Sequence, residues 1–127
     1  PSFNLATSVS LIIAQRLCRR LCSYCKKPIK LPDSTLLDAG FEKDQLEDLQ
    51  LFSPVGCDAC TEGYKGRVGI YEVVPVTDGI SRIIMQDGNS IEIADQARKE
   101  GFNNLRQSAL EKVAKGLTSL DEANRVI

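Results

Sequence analysis

The organisation of this chain follows from one stretch, Gly56-Cys57-Asp58-Ala59-Cys60-Thr61-Glu62-Gly63-Tyr64-Lys65-Gly66-Arg67-Val68-Gly69-Ile70-Tyr71-Glu72, and from an earlier pair, Cys22-Ser23-Tyr24-Cys25. Each cysteine pair has the C-x-x-C spacing, which presents two thiolates from one tight turn to a tetrahedral metal ion. The 31 residues between the pairs exceed the usual gap of a zinc ribbon. We therefore predict that residues 28–54 form an insertion with short helices near Leu36 and around Leu46 and Leu49.

The two cysteine pairs predict one metal site with four ligands, Cys22, Cys25, Cys57 and Cys60. Four thiolates complete a tetrahedral zinc shell and leave no open position, so the metal is expected to be structural rather than catalytic. The segment 22–60 is also shorter than the ~40 residues that usually fold without a staple. Because zinc binding contributes on the order of 10–16 kcal/mol in small domains, it offsets the small core.

Other uses of the cysteines compete with zinc. A rubredoxin-like iron site would use the same four ligands, and a single C-x-x-C pair would suit a redox dithiol. Disulfides are disfavoured, because the cysteine count is five and no secretion signal is seen. The fifth cysteine, Cys18, is expected to be an ordinary buried thiol.

Composition excludes several classes of protein. The 127 residues contain no histidine, which rules out histidine-based triads and histidine metal sites. Sixteen basic and seventeen acidic residues give a net charge of −1, without the basic excess typical of non-specific nucleic-acid binders. No apolar run reaches the ~18 residues that span a bilayer, so we expect a soluble chain. It begins with Pro1 rather than methionine, which suggests a piece of a longer protein.

Charge is distributed unevenly along the chain. Residues 1–32 carry six bases and no acid, whereas residues 33–62 carry eight acids and one base. This asymmetry predicts at least two structural units. The arginines of the basic part either contact phosphates or, as we favour, pair with the acidic insertion; they are Arg16, Arg19 and Arg20.

Hydrophobic periodicity predicts a mixed α/β chain that is rich in helix. Ala14, Leu17, Cys18 and Leu21 recur at helical spacing, so a helix is expected there, and residues 67–75 are expected to form a strand. Three helices then end at Gly88, Gly101 and Gly116, and a fourth starts at Thr118-Ser119 with Glu122 completing a capping box. We expect these helices to form a bundle that folds independently of the cysteine segment.

No catalytic residue can be assigned in this chain. The glycine-rich residues 63–69 match neither the P-loop nor the dinucleotide-binding pattern, and they are expected to turn into the strand. We therefore expect this chain to catalyse nothing by itself.

The cysteine frame, its Gly63-Tyr-Lys-Gly-Arg67 continuation and the segment from Asn4 to Leu17 together resemble the C-terminal part of the PilB-like type IV pilus assembly ATPases. The chain is also similar to the type II secretion ATPases, and the resemblance runs over residues 1–127. It implies the end of a P-loop ATPase core with a helix in residues 1–21, a tetracysteine zinc-binding insertion in residues 22–60, and a strand plus helical subdomain in residues 61–127. The four zinc ligands of the family fall on the same four cysteines.

The resemblance also implies partners and location. The family's proteins are cytoplasmic hexameric motors, peripheral to the bacterial inner membrane, that dock on a platform protein and drive pilin polymerisation. ATP and magnesium would bind only upstream of this chain, and no nucleic-acid partner is expected. The alternatives are a stand-alone zinc-ribbon module that binds nucleic acid and, less favoured, a rubredoxin-like electron carrier.

Overall fold

The computed structural model describes residues 9–127, which contain strands and helices in the mixed α/β arrangement predicted from the sequence. They are β1 (Ser10–Leu21), β2 (Lys27–Ile29), α1 (Asp33–Ala39), a 3₁₀ helix (Lys43–Asp48), β3 (Leu51–Ser53), β4 (Tyr64–Pro75), α2 (Asp78–Met85), α3 (Ser90–Lys99), α4 (Leu105–Ala114) and α5 (Leu120–Val126). β1 pairs with β4, and β2 pairs antiparallel with β3 so that Ile29 lies opposite Leu51. None of the helices in this part of the chain has the length and apolar character needed to cross a membrane.

The chain forms two compact units. The helical unit contains the described residues 9–15 and 71–105, and the cysteine unit contains residues 16–70 and 106–127. These divisions differ from the predicted boundaries after residues 21 and 60, because β1 and β4 each contribute residues to both units. The predicted C-terminal bundle is likewise divided, with α2 and α3 in the helical unit and α5 and nearly all of α4 in the cysteine unit.

The helix predicted from positions 14–21 is wrong, because these residues belong to β1. Leu17, which a helical face would bury, is 56% exposed, whereas Cys18 is fully buried. Leu11 and Ile13 pack against the core of the helical unit, so the buried positions change parity along the strand. Because of this change, the apolar residues of β1 have a spacing similar to that of a helix. Pairing with β4 overrides the resulting local preference for a helix.

The remaining elements confirm the predictions with small shifts. The strand expected at residues 67–75 is β4, which begins at Tyr64. α3 and α4 are followed by Gly101 and Gly116, whose φ angles of 87° and 75° lie in the left-handed region that stops a helix. After α2, however, the left-handed residue is Asp87 rather than Gly88.

The core of the helical unit consists of Val74 from β4, Ile80 from α2 and Ala97 from α3. Beside this core, the buried carboxylate of Glu72 accepts hydrogen bonds from the Arg98 guanidinium at 2.5 Å and from the Leu105 backbone N–H at 3.0 Å. The pair joins β4 to α3 and to the first residue of α4. This unit therefore has an apolar core and a partly buried ion pair of its own.

Candidate metal centre

The four predicted ligands meet at one place in the cysteine unit. The Sγ atoms of Cys22, Cys25, Cys57 and Cys60 all lie within 4.8 Å of one another. Cys22 lies directly after β1, and Cys57 and Cys60 lie in the loop before β4. The arrangement can hold one metal ion.

The distances between sulfur atoms fit a tetrahedral thiolate site. They are 3.8 Å from Cys22 to Cys57, 3.7 Å from Cys25 to Cys60 and 3.6 Å from Cys57 to Cys60. A tetrahedral zinc ion with Zn–S bonds of about 2.3 Å separates its sulfur ligands by about 3.8 Å. All five cysteines are free thiols, so the structure contains no disulfide among them.

Backbone N–H groups of the second cysteine turn donate to a sulfur atom of each cysteine pair. The Gly56 N–H donates to Cys25 Sγ at 3.3 Å, and the Cys57 N–H donates to Cys60 Sγ at the same distance. Such bonds favour the charged thiolate over the neutral thiol. The backbone of the second turn therefore stabilises thiolates of both pairs.

Hydrogen bonds and desolvation shift the pKa values of Cys22 and Cys57 in opposite directions. Desolvation raises the pKa of Cys22, but hydrogen bonds from the Tyr24 and Cys25 backbone and from Cys57 outweigh it and lower the pKa to about 7. The Ala59 backbone lowers the pKa of Cys57, but desolvation and the three neighbouring thiols outweigh it and raise the pKa to about 12. A nearby cation is needed to remove the last protons at neutral pH, and a bound metal ion supplies that charge.

Gly63 joins the two cysteine turns. Its carbonyl oxygen accepts the Cys22 backbone N–H at 2.9 Å, and its φ of 93° is in the left-handed region. A Cβ at this position would lie 2.4 Å from the Cβ of Pro54. The glycine-rich pattern predicts a turn at Gly63 but not its contact with a ligand residue, for which its place three positions after Cys60 is a usable signal.

Lys26 directly follows Cys25 in the sequence, but its side chain contacts other residues than the four cysteines. Its Nζ donates to the Gly116 carbonyl at 2.9 Å and lies 4.5 Å from the centre of the Phe52 ring. The Leu21 backbone N–H also donates to the Leu117 carbonyl at 2.9 Å. The residues just before and after the first cysteine pair are thus hydrogen-bonded to the loop after α4.

The fifth cysteine lies outside the cluster of four. Cys18 is completely buried in β1, as expected for a structural thiol. Desolvation and the nearby Glu122 carboxylate raise its pKa, against a smaller opposing effect of Arg125. The thiol therefore remains protonated and unreactive at neutral pH.

Arg19 does not pair with the acidic insertion as predicted. Its guanidinium binds the Glu122 carboxylate at 3.0 Å and lies 4.3 Å from the centre of the Tyr64 ring. The Tyr64 hydroxyl is 2.6 Å from the Ser119 hydroxyl, which accepts the Glu122 N–H at the start of α5. The predicted cap at Ser119 is confirmed, but the Glu122 side chain binds arginines instead of closing a capping box.

Comparison with known proteins relates the whole chain to one family. The family model described as "Type II/IV secretion system protein" matches residues 1–125. The type IV pilus assembly ATPase PilB of Pseudomonas aeruginosa is 65% identical over 126 residues, covering 99% of this chain and 22% of that protein. The type IV pilus assembly ATPase PilB of Myxococcus xanthus is 40% identical over 122 residues, covering 94% of this chain and 22% of that protein. The type II secretion system protein E of Aeromonas hydrophila is 34% identical over 125 residues, covering 98% of this chain and 24% of that protein. The chain spans about a quarter or less of these relatives' lengths.

Proposed function

Because the chain belongs to the type II/IV secretion system protein family, we propose that it is the zinc-binding C-terminal part of a motor ATPase. The parent would power type IV pilus assembly or the related type II secretion, as the names of its relatives suggest. Family membership does not favour the alternative of a nucleic-acid-binding module.

Zinc binding is supported by the close grouping of four cysteine sulfur atoms, among which three pairs are separated by 3.6–3.8 Å. Four thiolates occupy a tetrahedral ion completely, so no position remains for water or substrate. The metal therefore stabilises the cysteine unit. Its ligands belong to two turns far apart in sequence, and zinc links the turn after β1 to the loop before β4.

In the parent protein this part would transmit the effect of ATP hydrolysis rather than perform it. The 127 residues contain no P-loop, so ATP and Mg²⁺ would bind to the remainder of the parent chain. We propose that the parent is a cytoplasmic homohexamer that docks on an inner-membrane platform protein. The end of its P-loop core would then include β1, and the cysteine unit would contribute to subunit packing or partner docking.

Metal analysis of the purified chain tests the zinc site. The wild type is expected to carry one zinc per chain, and Cys57→Ser is expected to lose it. Cys18→Ala is the matched control, since it removes a cysteine outside the cluster and should keep the metal. Iron in place of zinc, or a reduced wild-type protein with a metal content near zero, would contradict the proposal.

The coupling role is tested in the intact parent with Cys22→Ser/Cys25→Ser. This variant is expected to bind nucleotide normally but to form fewer hexamers or fewer pili, because zinc contributes no catalytic group. Nucleotide affinity, hexamer content and pilus formation are measured in the same preparation, with Cys18→Ala as the control. Normal pilus assembly by a variant that demonstrably lacks zinc would rule this role out.

A further inference from the structure

A groove with aliphatic walls and a charged edge opens in the cysteine unit on the side of the insertion. Its volume is about 430 Å³, and it is formed by β2, α1, the 3₁₀ helix and the start of β3. The groove is lined mainly by aliphatic side chains, those of Ile29, Leu31, Leu36, Leu46, Leu49 and Leu51. Its size is in the range of pockets that bind ligands.

The apolar surface continues past the β2–β3 hairpin. Ile29, Leu31 and Leu51 also line a smaller pocket of about 60 Å³, whose far side is formed by Phe52 and by Leu120 at the start of α5. Both openings therefore share the hairpin residues. An elongated apolar surface of this kind suits a peptide segment better than a compact small molecule.

Acidic residues outnumber basic residues around the groove. Asp33 and Glu47 line it directly together with one base, Lys30, and all eight acids of residues 33–62 are exposed. Glu72 and Glu122 form ion pairs, whereas among the described residues no carboxylate of residues 33–62 does so. The carboxylates at the groove are thus not engaged in ion pairs with the described residues and can accept basic groups of a partner.

We propose that this groove binds a cationic amphipathic helix of a partner protein. The leucines would receive the apolar face of the helix, and the acidic rim would pair with its lysines or arginines. The chain's own basic segment is a poorer occupant, because Arg19 and Lys26 in that segment already bind Glu122 and the Gly116 carbonyl. The inference goes beyond the motor function and does not depend on which metal the cysteines hold.

Binding of a designed peptide tests the proposal. The probe is a fluorescent helical peptide of leucine and lysine with one apolar face, and its control is a scrambled peptide of identical composition without that face. We expect the zinc-loaded 127-residue chain to bind the amphipathic peptide at least tenfold more tightly than the scrambled one. Equal binding of the two peptides would mean attraction by charge alone and would overturn the proposal.

Two variants locate the binding surface. Glu47→Lys at the groove should weaken binding at least tenfold, whereas Asp95→Lys on α3 makes the same change of charge in the helical unit and should have little effect. Leu46→Ser/Leu49→Ser should weaken binding similarly, with zinc content and thermal unfolding measured to verify that the variant is folded. Equal effects of the two lysine substitutions, or unchanged binding by the folded leucine variant, would overturn the proposal. If the wild type self-associates and Leu46→Ser/Leu49→Ser does not, the groove binds a second copy of the chain. That result would also overturn the proposal.

Discussion

The carboxylate of Glu122 accepts the backbone N–H of Arg19 at 2.7 Å, although the two residues are 103 positions apart in the chain. The same carboxylate accepts hydrogen bonds from the guanidinium groups of Arg19 and Arg125, and the Glu122 side chain is completely buried. Thr118 adds a hydrogen bond from its hydroxyl to the Arg19 carbonyl at 2.8 Å. Glu122 in the first turn of α5 and Thr118 just before this helix therefore bind the backbone N–H and C=O of Arg19 in β1.

Replacing this carboxylate should destabilise the cysteine unit. Glu122→Gln keeps an acceptor for the Arg19 N–H but removes the charge that binds Arg19 and Arg125. Both arginines are partly solvent-exposed, so we expect a loss of about 1–3 kcal/mol in the free energy of unfolding. Denaturant unfolding measures it, with Asp121→Asn as the exposed neighbouring control. An unchanged stability would show that the ion pairs contribute nothing.

The contribution of Glu122 should depend on pH. Hydrogen bonds from Arg125, opposed by desolvation and assisted by those from Arg19, lower the pKa of Glu122 from 4.5 to about 2. Because the folded pKa is the lower one, the stabilisation is present above pH 4.5 and is lost as the pH falls toward 2. The difference in stability between wild type and Glu122→Gln should therefore shrink over this range. Acid release of metal affects both proteins, and a difference independent of pH would contradict the prediction.

Loss of the metal should affect helices far from the cysteines in sequence. In Cys57→Ser, α4 and α5 are expected to lose amide protection, because Lys26, Leu21 and Tyr64 bind the residues that connect or begin these helices. α2 and α3 should remain protected, since the helical unit has its own core. Residue-resolved hydrogen exchange measures both regions. Retained protection in α4 and α5 would restore the simpler expectation that all C-terminal helices fold independently.

Gly63→Ala should weaken metal binding. Alanine at this position combines an unfavourable positive φ with a Cβ 2.4 Å from Pro54, and the resulting shift moves the carbonyl that holds the Cys22 N–H. Gly66→Ala is a matched control, because its φ of 79° is similarly positive but no atom lies within 4 Å of the added Cβ. We expect about 1 kcal/mol of destabilisation at Gly66 and a larger effect at Gly63. Competition with a zinc chelator should separate the two variants, and equal zinc affinities would contradict the prediction.

The 127-residue chain should neither bind ATP tightly nor hydrolyse it. It has no glycine-rich loop with a lysine placed to hold phosphates. Calorimetry with ATP and magnesium, and a phosphate-release assay on protein freed of contaminating ATPases, measure the two properties. Turnover that persists through purification would reveal a nucleotide site that the sequence pattern does not contain.

The sequence alone determined the features that depend on short spacing. Two C-x-x-C motifs indicated which four cysteines would meet, because two residues between ligands place both sulfurs on one turn. Proline, glycine and β-branched residues likewise located β4 and most helix ends, since backbone preferences act over a few residues. The capping hydroxyl of Ser119 belongs to the same class of local signals.

The conformation of residues 10–21 and the division into two units depend on contacts between distant segments. The apolar spacing of this segment fits a helix, but pairing with β4 makes it a strand. Glu122 could be assigned a local capping role from sequence, whereas its actual partner Arg19 lies 103 residues away. Such contacts have no signature in local periodicity, because they arise when buried polar groups of distant segments must satisfy one another.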